Sequence, residues 1–339
     1  MRKKIFSILQ YIIFLGGGIF LTWWQLHSMT AEQQKSCEMA LRNANYWLLI
    51  PVVLMSLLSH LVRSMRWKLL MEPLGYRPAL KNVFASTMVG YFANSAVPRL
   101  GEVLKCSFLS RYEKLKFDKL FGTILVERAF DFVCYLIFIG ITILLQIKLI
   151  GGYADNRIKA MESPEGLPFW AKLILIAAAI ASFFIVVKWL VKTFPHNKII
   201  LKVNSFLKGI GAGFASIKNL RHKKLFLLHT LIIWALYMFQ IYIGFSAMEG
   251  TQHLTVKAAF SVLSLATLAM IATPGGIGSF PFFVMETLLI YGIEEPLGIA
   301  FGWLIWGVNT AIVIIAGLVS LVLMPYMNRK KEPAPENVH

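Results

Sequence analysis

The sequence predicts an all-α integral membrane protein: about six transmembrane helices plus two re-entrant helical hairpins in an inverted repeat. Three observations predict it. Of the 339 residues, 57% are hydrophobic and only 15% are charged, against about 25% charged in an average soluble domain. Mean hydropathy is +0.65. Apolar runs recur at about the 20 residues that a helix needs to cross a hydrocarbon core. They are continuous rather than alternating, which argues against a transmembrane β-barrel.

The first run, 5–24, follows Arg2-Lys3-Lys4. It is too long for a signal-peptide core, and no small-x-small cleavage site follows it. Trp23 and Trp24 suit an interfacial belt. It reads as an uncleaved first span. Five further spans are expected at 46–64, 121–147, 168–191, 225–248 and 297–325. Two apolar stretches are shorter, 82–98 and 258–273. Each would make roughly 24 Å of helix at 1.5 Å per residue, and each ends at Pro or Gly. Half-length stretches of this kind read as re-entrant segments.

Charge sets the expected topology. Basic blocks lie at the N-terminus, on both sides of the first short stretch (Arg63 to Lys81 and Arg99 to Lys119), across Lys188 to Lys224 and at Arg329 to Lys331. The positive-inside rule places them on one side, with both termini cytoplasmic in a cell membrane. Loops 25–45, 148–167 and 249–257, with the turn at 293–296, hold most of the loop acids and are expected to face outward. One hairpin then enters from each face, the pattern left by inverted halves in transporters. Residues 1–339 read as a single polytopic domain: 1–45 as first helix and outer loop, 46–325 as core, and 326–339 as cytoplasmic tail.

The net charge of +17 does not imply nucleic-acid binding, because the basic residues sit in short segments between apolar runs. Cys37, Cys106 and Cys134 fall in three different segments, so no disulfide framework is expected. The histidines show no ligand spacing, so neither a metal site nor a cofactor is indicated. The acid-free stretch from Lys188 to Lys224 reads equally as a basic amphipathic helix on anionic lipid or as a plain cytoplasmic loop.

Three motifs carry candidate chemistry. In Asn94-Ser-Ala-Val-Pro98-Arg99-Leu-Gly101-Glu102, Pro98 removes a donor and Gly101 allows unusual dihedrals. Arg99 offers forked donors suited to phosphate. Glu102 would hold Arg99, take a proton or meet a cationic head group; the plainer reading is a helix-end ion pair. In Glu127-Arg128-Ala-Phe-Asp131, the two acids share a helix face and Arg128 can pair with Asp131. Such charges in an apolar span need partners or a wet cavity; a structural ion network explains them as well as a ligand site does. In Pro274-Gly275-Gly276-Ile277-Gly278, the glycines permit close backbone approach and an anion-binding nest. No Gly-Lys-Ser/Thr follows, so this is not a P-loop. Glu286 is a lone acid in the returning apolar half, while Gln240 and Asn309 read as helix–helix hydrogen-bonding groups.

Together these motifs resemble the lysylphosphatidylglycerol synthase transmembrane family of flippase-like domain proteins, over about Tyr46 to Met324. The resemblance implies movement of a phospholipid or lipid-linked head group between leaflets. It implies substrate-binding roles for Asn94, Pro98, Arg99, Gly101, Glu102, Glu127, Arg128, Asp131, Pro274, Gly275, Gly276 and Gly278, and no catalytic residue. The expected partners are an anionic or zwitterionic lipid and the membrane, with a soluble synthase or glycosyltransferase and a second copy of the chain as further candidates. The aminoacyl-transferase domain found in part of the family is not expected here, since the chain ends at His339. Relatives carry an acid within about two positions of the PGGIG turn; this chain has Ser279 and Phe280. A membrane-embedded transferase and a non-catalytic membrane partner of a soluble lipid-modifying enzyme remain as alternatives.

Overall fold

A computed structural model describes the backbone of residues 2–97, 99–161 and 220–329, and the side chains of 15–97, 99–146, 220–270 and 273–329. The chain divides into two compact units, Met1–Ile124 with Leu220–His339, and Leu125–Asn219. The expected span 168–191 lies outside the described residues, as do Pro98 and the basic stretch from Lys188 to residue 219.

The described residues form ten α-helices and no strand. They are α1 (Arg2–Ser28), α2 (Ala31–Arg42), α3 (Leu49–Met71), α4 (Leu80–Ala96), α5 (Leu100–Glu113), α6 (Phe117–Met161), α7 (Lys223–Ser246), α8 (Val256–Ala272), α9 (Ser279–Leu289) and α10 (Glu295–Met327). Four stretches, Tyr46–Leu74, Phe117–Gln146, Lys223–Ser246 and Glu295–Met327, are long and apolar enough to cross a membrane. α1 covers the expected first span. The protein is an all-α integral membrane protein.

Helix α10 organises the first unit. Glycines along it let other backbones come close. A Cβ at Gly302 would lie 2.6 Å from Pro281 Cα, and one at Gly298 would lie 3.1 Å from Met285 Cα. A Cβ at Gly317 would lie 2.4 Å from Phe92 Cβ. The N-terminal half of α10 therefore packs on α9, and its C-terminal half packs on α4. At the far end, Asn82 and Asn328 exchange side-chain amide hydrogen bonds of 2.8 and 2.9 Å. Asn82 also donates to Glu113 at the end of α5.

Two helical hairpins, α4–α5 and α8–α9, thus open at opposite ends of α10. Their turns meet near its middle. A Cβ at Gly275 would lie 3.4 Å from Ser95 Cα, and Trp306 Nε1 donates to the Gly275 carbonyl at 2.8 Å. The base of the second hairpin is tied by Ser261 and Tyr291, whose hydroxyls lie 2.9 Å apart.

Helix α3 packs against α7 and α4. Ser56 Oγ donates to Asn309 Oδ1, so Asn309 serves the helix–helix role expected of it.

The structure corrects several sequence-based boundaries. The loop 25–45 contains α2, started by a reciprocal capping box between Thr30 and Gln33. That signal, Thr-x-x-Gln, was present in the sequence. The segment 148–161 continues α6 as helix instead of opening a loop. The basic residues Arg66 and Lys68, expected beyond the span 46–64, lie inside α3. Arg66 is 0% exposed and Lys105 only 6%. Arg66 Nη1 donates to Thr230 Oγ1, and its guanidinium stands over the Phe226 ring. Lys105 Nζ lies 3.9 Å from the centroid of the Trp67 ring, whose indole N–H donates to Thr123. Long basic side chains bury their stems and satisfy their heads on hydroxyls and aromatic faces, so chain position alone misassigned them.

Gly302→Ala should overpack against the Pro281 backbone and cost about 1–3 kcal/mol. This is read as a lowered midpoint of thermal unfolding in detergent. Gly307→Ala, at a site with no neighbour within 4 Å of the added methyl, should leave the midpoint unchanged or slightly raised.

Candidate functional site

A helix end leaves terminal N–H and C=O groups without intrahelical partners. Where such an end is packed inside the protein, neighbouring groups must meet them. Both hairpin turns show how this is done.

In the first turn, Asn94 on α4 reaches across to the start of α5. Its Oδ1 accepts the Gly101 N–H at 2.8 Å. Gly101 is required by packing: a Cβ there would lie 2.0 Å from the Gly90 carbonyl. Gly90 and Gly101 are the contact point at which the two arms of the hairpin touch. Arg99 precedes α5 in the left-handed region, at φ 68° and ψ −9°. A non-glycine residue pays roughly 1–2 kcal/mol for that conformation, and Arg99 does so while its side chain is exposed. Glu102 is half-buried in the first turn of α5, where the helix dipole favours a negative charge.

The second turn is tighter. Gly275, Gly276 and Gly278 have φ of 61°, 74° and 69°, which only glycine adopts without strain. The N–H groups of Gly276, Ile277 and Ser279 donate within the turn, to Thr273, Pro274 and Ile277 respectively. These three donors are spent, so a nest built from them is closed to an anion. The carbonyls are held from outside: Gly275 by Trp306, Gly278 by Gln25 Nε2 at 2.8 Å and Ile277 by Thr273. Ser279 is fully buried, and its hydroxyl lies 2.9 Å from the Ala269 carbonyl and 2.6 Å from Thr273 Oγ1.

The fold therefore brings Asn94, Arg99, Gly101 and Glu102 to one hairpin end and Pro274, Gly275, Gly276 and Gly278 to the other, with the two ends in contact at Ser95 and Gly275. Glu127, Arg128 and Asp131 share α6 within the second unit. Glu127 is buried, Asp131 half-buried and Arg128 exposed. Glu286 is exposed on α9. Among the described residues there is no group of three or more His, Cys, Asp or Glu placed to hold a metal.

Sequence reasoning overlooked three further polar side chains. Arg63 donates to the Tyr237 hydroxyl at 3.2 Å and lies over Tyr91, whose ring also meets His60. Arg66 was counted as a loop charge. Gln25, at the end of the first apolar run, carried no motif at all. A polar residue following an apolar run and spaced seven from Gly18 was the available signal.

These features define a polytopic helical membrane protein built on two opposed half-length hairpins. The chain belongs to the lysylphosphatidylglycerol synthase transmembrane-region family, whose model matches residues 7–317. It is similar to a UPF0104 membrane protein of Methanocaldococcus jannaschii, with 23% identity over 86% of this chain and 88% of the relative. It is also similar to a UPF0104 membrane protein of Pyrococcus horikoshii, with 20% identity over 88% of this chain and 90% of the relative. No solved structure matches it.

Replacing Arg99 by glycine should remove the left-handed penalty and raise stability by about 1 kcal/mol. Arg99→Ala retains the penalty and should not. Thermal unfolding of the two variants side by side checks this.

Proposed function

We propose that this protein is a lipid translocase. It moves a phospholipid or lipid-linked head group between the leaflets of the cell membrane. The observation that carries this reading is the meeting of two opposed hairpin ends, at Ser95 and Gly275, with Arg99 and Glu102 beside one of them. Interrupted helices meeting at mid-membrane are where transporters built from inverted repeats place their sites. In this reading the hairpins are re-entrant, one from each face, and both termini are cytoplasmic.

An anionic or zwitterionic head group passes between the hairpin ends while its tails stay in lipid. Arg99 engages the phosphate, since a guanidinium fork matches its oxygens. Glu102 orients that arginine or meets a cationic substituent. The strained backbone at Arg99 fits this role: strain of this kind is tolerated where it presents a side chain to a ligand.

The purified chain in lipid vesicles should speed exchange of labelled phospholipid between leaflets. Arg99→Ala or Glu102→Ala, correctly folded and inserted, should reduce that exchange to the protein-free rate. Wild-type exchange in either folded variant removes the assigned role for that residue, and no exchange with the wild-type chain removes the translocase reading.

A further inference from the structure

The two hairpin ends touch without bonding to each other. A Cβ at Gly275 would lie 3.4 Å from Ser95 Cα, 3.5 Å from its carbonyl oxygen and 3.7 Å from its Cβ. These are ordinary van der Waals distances. The Ser95 hydroxyl donates back to the Phe92 carbonyl at 2.7 Å, within α4. The Gly275 carbonyl accepts from Trp306 on α10. The rest of the second turn is also satisfied away from Ser95. Gly276, Ile277 and Ser279 donate within the turn, and Gln25 of α1 holds the Gly278 carbonyl. Separating Ser95 from Gly275 therefore breaks no hydrogen bond of either residue. An unmet polar group would be the large cost of such a movement. What is lost instead is dispersion contact, which is small for each atom pair.

The anchors of the two ends differ. The second turn is tied close to the contact itself, to α10 by Trp306 and to α1 by Gln25. The first hairpin is hydrogen-bonded to α10 at its far end, through Asn82 with Asn328 and from Lys81 Nζ to the Met327 carbonyl. Its two arms are joined near the tip, where Gly90 meets Gly101 and Asn94 accepts the Gly101 N–H. A swing about the far end would carry both arms together, and Arg99 and Glu102 with them.

We propose that the Ser95–Gly275 contact is a gate, closed in this structure. It opens when the first hairpin swings away from the tied second turn. Each opening moves Arg99 and Glu102, so that binding of a head group and its passage share one motion. The gate rests on the translocase reading above and adds to it the contact that must part.

The geometry supplies a test. Cβ atoms about 3.5–4.5 Å apart suit a disulfide, and the 3.7 Å between a Cβ at 275 and that of Ser95 lies in this range. The full chain carrying Ser95→Cys and Gly275→Cys is placed in phospholipid vesicles and oxidised with copper phenanthroline. The wild-type chain, oxidised alike, is the reference. A bond between the two new cysteines is expected, identified by mass spectrometry of the linked peptides. Exchange of labelled phospholipid between leaflets should then fall to the protein-free rate, and a reductant should restore it. Exchange at the reference rate with the bond in place overturns the gate and leaves the translocase reading standing. A folded double variant that forms no bond also overturns it, since the ends then do not rest in contact. No exchange by the wild-type chain removes the translocase reading and the gate with it. Residue 275 has a φ of 61°, which strains any side chain placed there. Should the double variant fail to fold, Ser95→Phe decides, because position 95 lies within the regular helix α4. The ring is too large for the contact and props the ends apart, so exchange should exceed the wild-type rate. An unchanged or lower rate in folded Ser95→Phe overturns the gate.

Discussion

The requirement that every backbone polar group be met inside the membrane-embedded protein governs this structure. Helices that cross fully meet it by themselves. The shorter α4 and α8 end instead in turns, whose backbone groups are met by side chains. Asn94 takes the Gly101 N–H in the first turn. Trp306 and Gln25 meet carbonyls of the second. Glycine at 101 lets the two arms of the first hairpin touch, and the three glycines with positive φ between 275 and 278 make the second turn.

The same constraint explains why α10 is rich in close contacts. Both hairpins lie along it. Glycines at 298 and 302 admit the second hairpin, and glycine at 317 admits the first. Without a hydrophobic driving force between helices in lipid, close approach through small residues supplies the association energy. The asparagine pair at 82 and 328 adds a polar lock at one end. The proposed transport route sits at the turns that this scaffold holds, with Arg99 and Glu102 at the first.

Much of the architecture was legible because the physics behind it is local. A 20-residue apolar run reads as a spanning helix whatever surrounds it, and a 16-residue run closed by Pro-Gly reads as one that stops. Pro274 through Gly278 announced a turn that only glycine can make. The capping box at Thr30 was equally local and marks a helix that the composition of its loop concealed. Arg66 and Lys105 were not legible. Loop charge rules count basic residues by position, whereas burial depends on which aromatic or hydroxyl neighbour arrives. Here those neighbours are Thr230 with Phe226 for Arg66, and Trp67 for Lys105. Gln25 was hidden for the same reason, since its partner is 253 positions away.

The sequence by itself determined that this chain is helical and membrane-embedded, where its helices break, and which family it resembles, because hydropathy, helix length and glycine or proline punctuation act within a few residues. Only the tertiary structure decided that the two breaks face each other across the middle of α10, that Arg99 holds a left-handed backbone beside that contact, and that Gln25 reaches the Gly278 carbonyl at the second turn. Those outcomes depend on distances between residues far apart in the chain. In a bundle of helices such distances are set by packing, which no local pattern encodes.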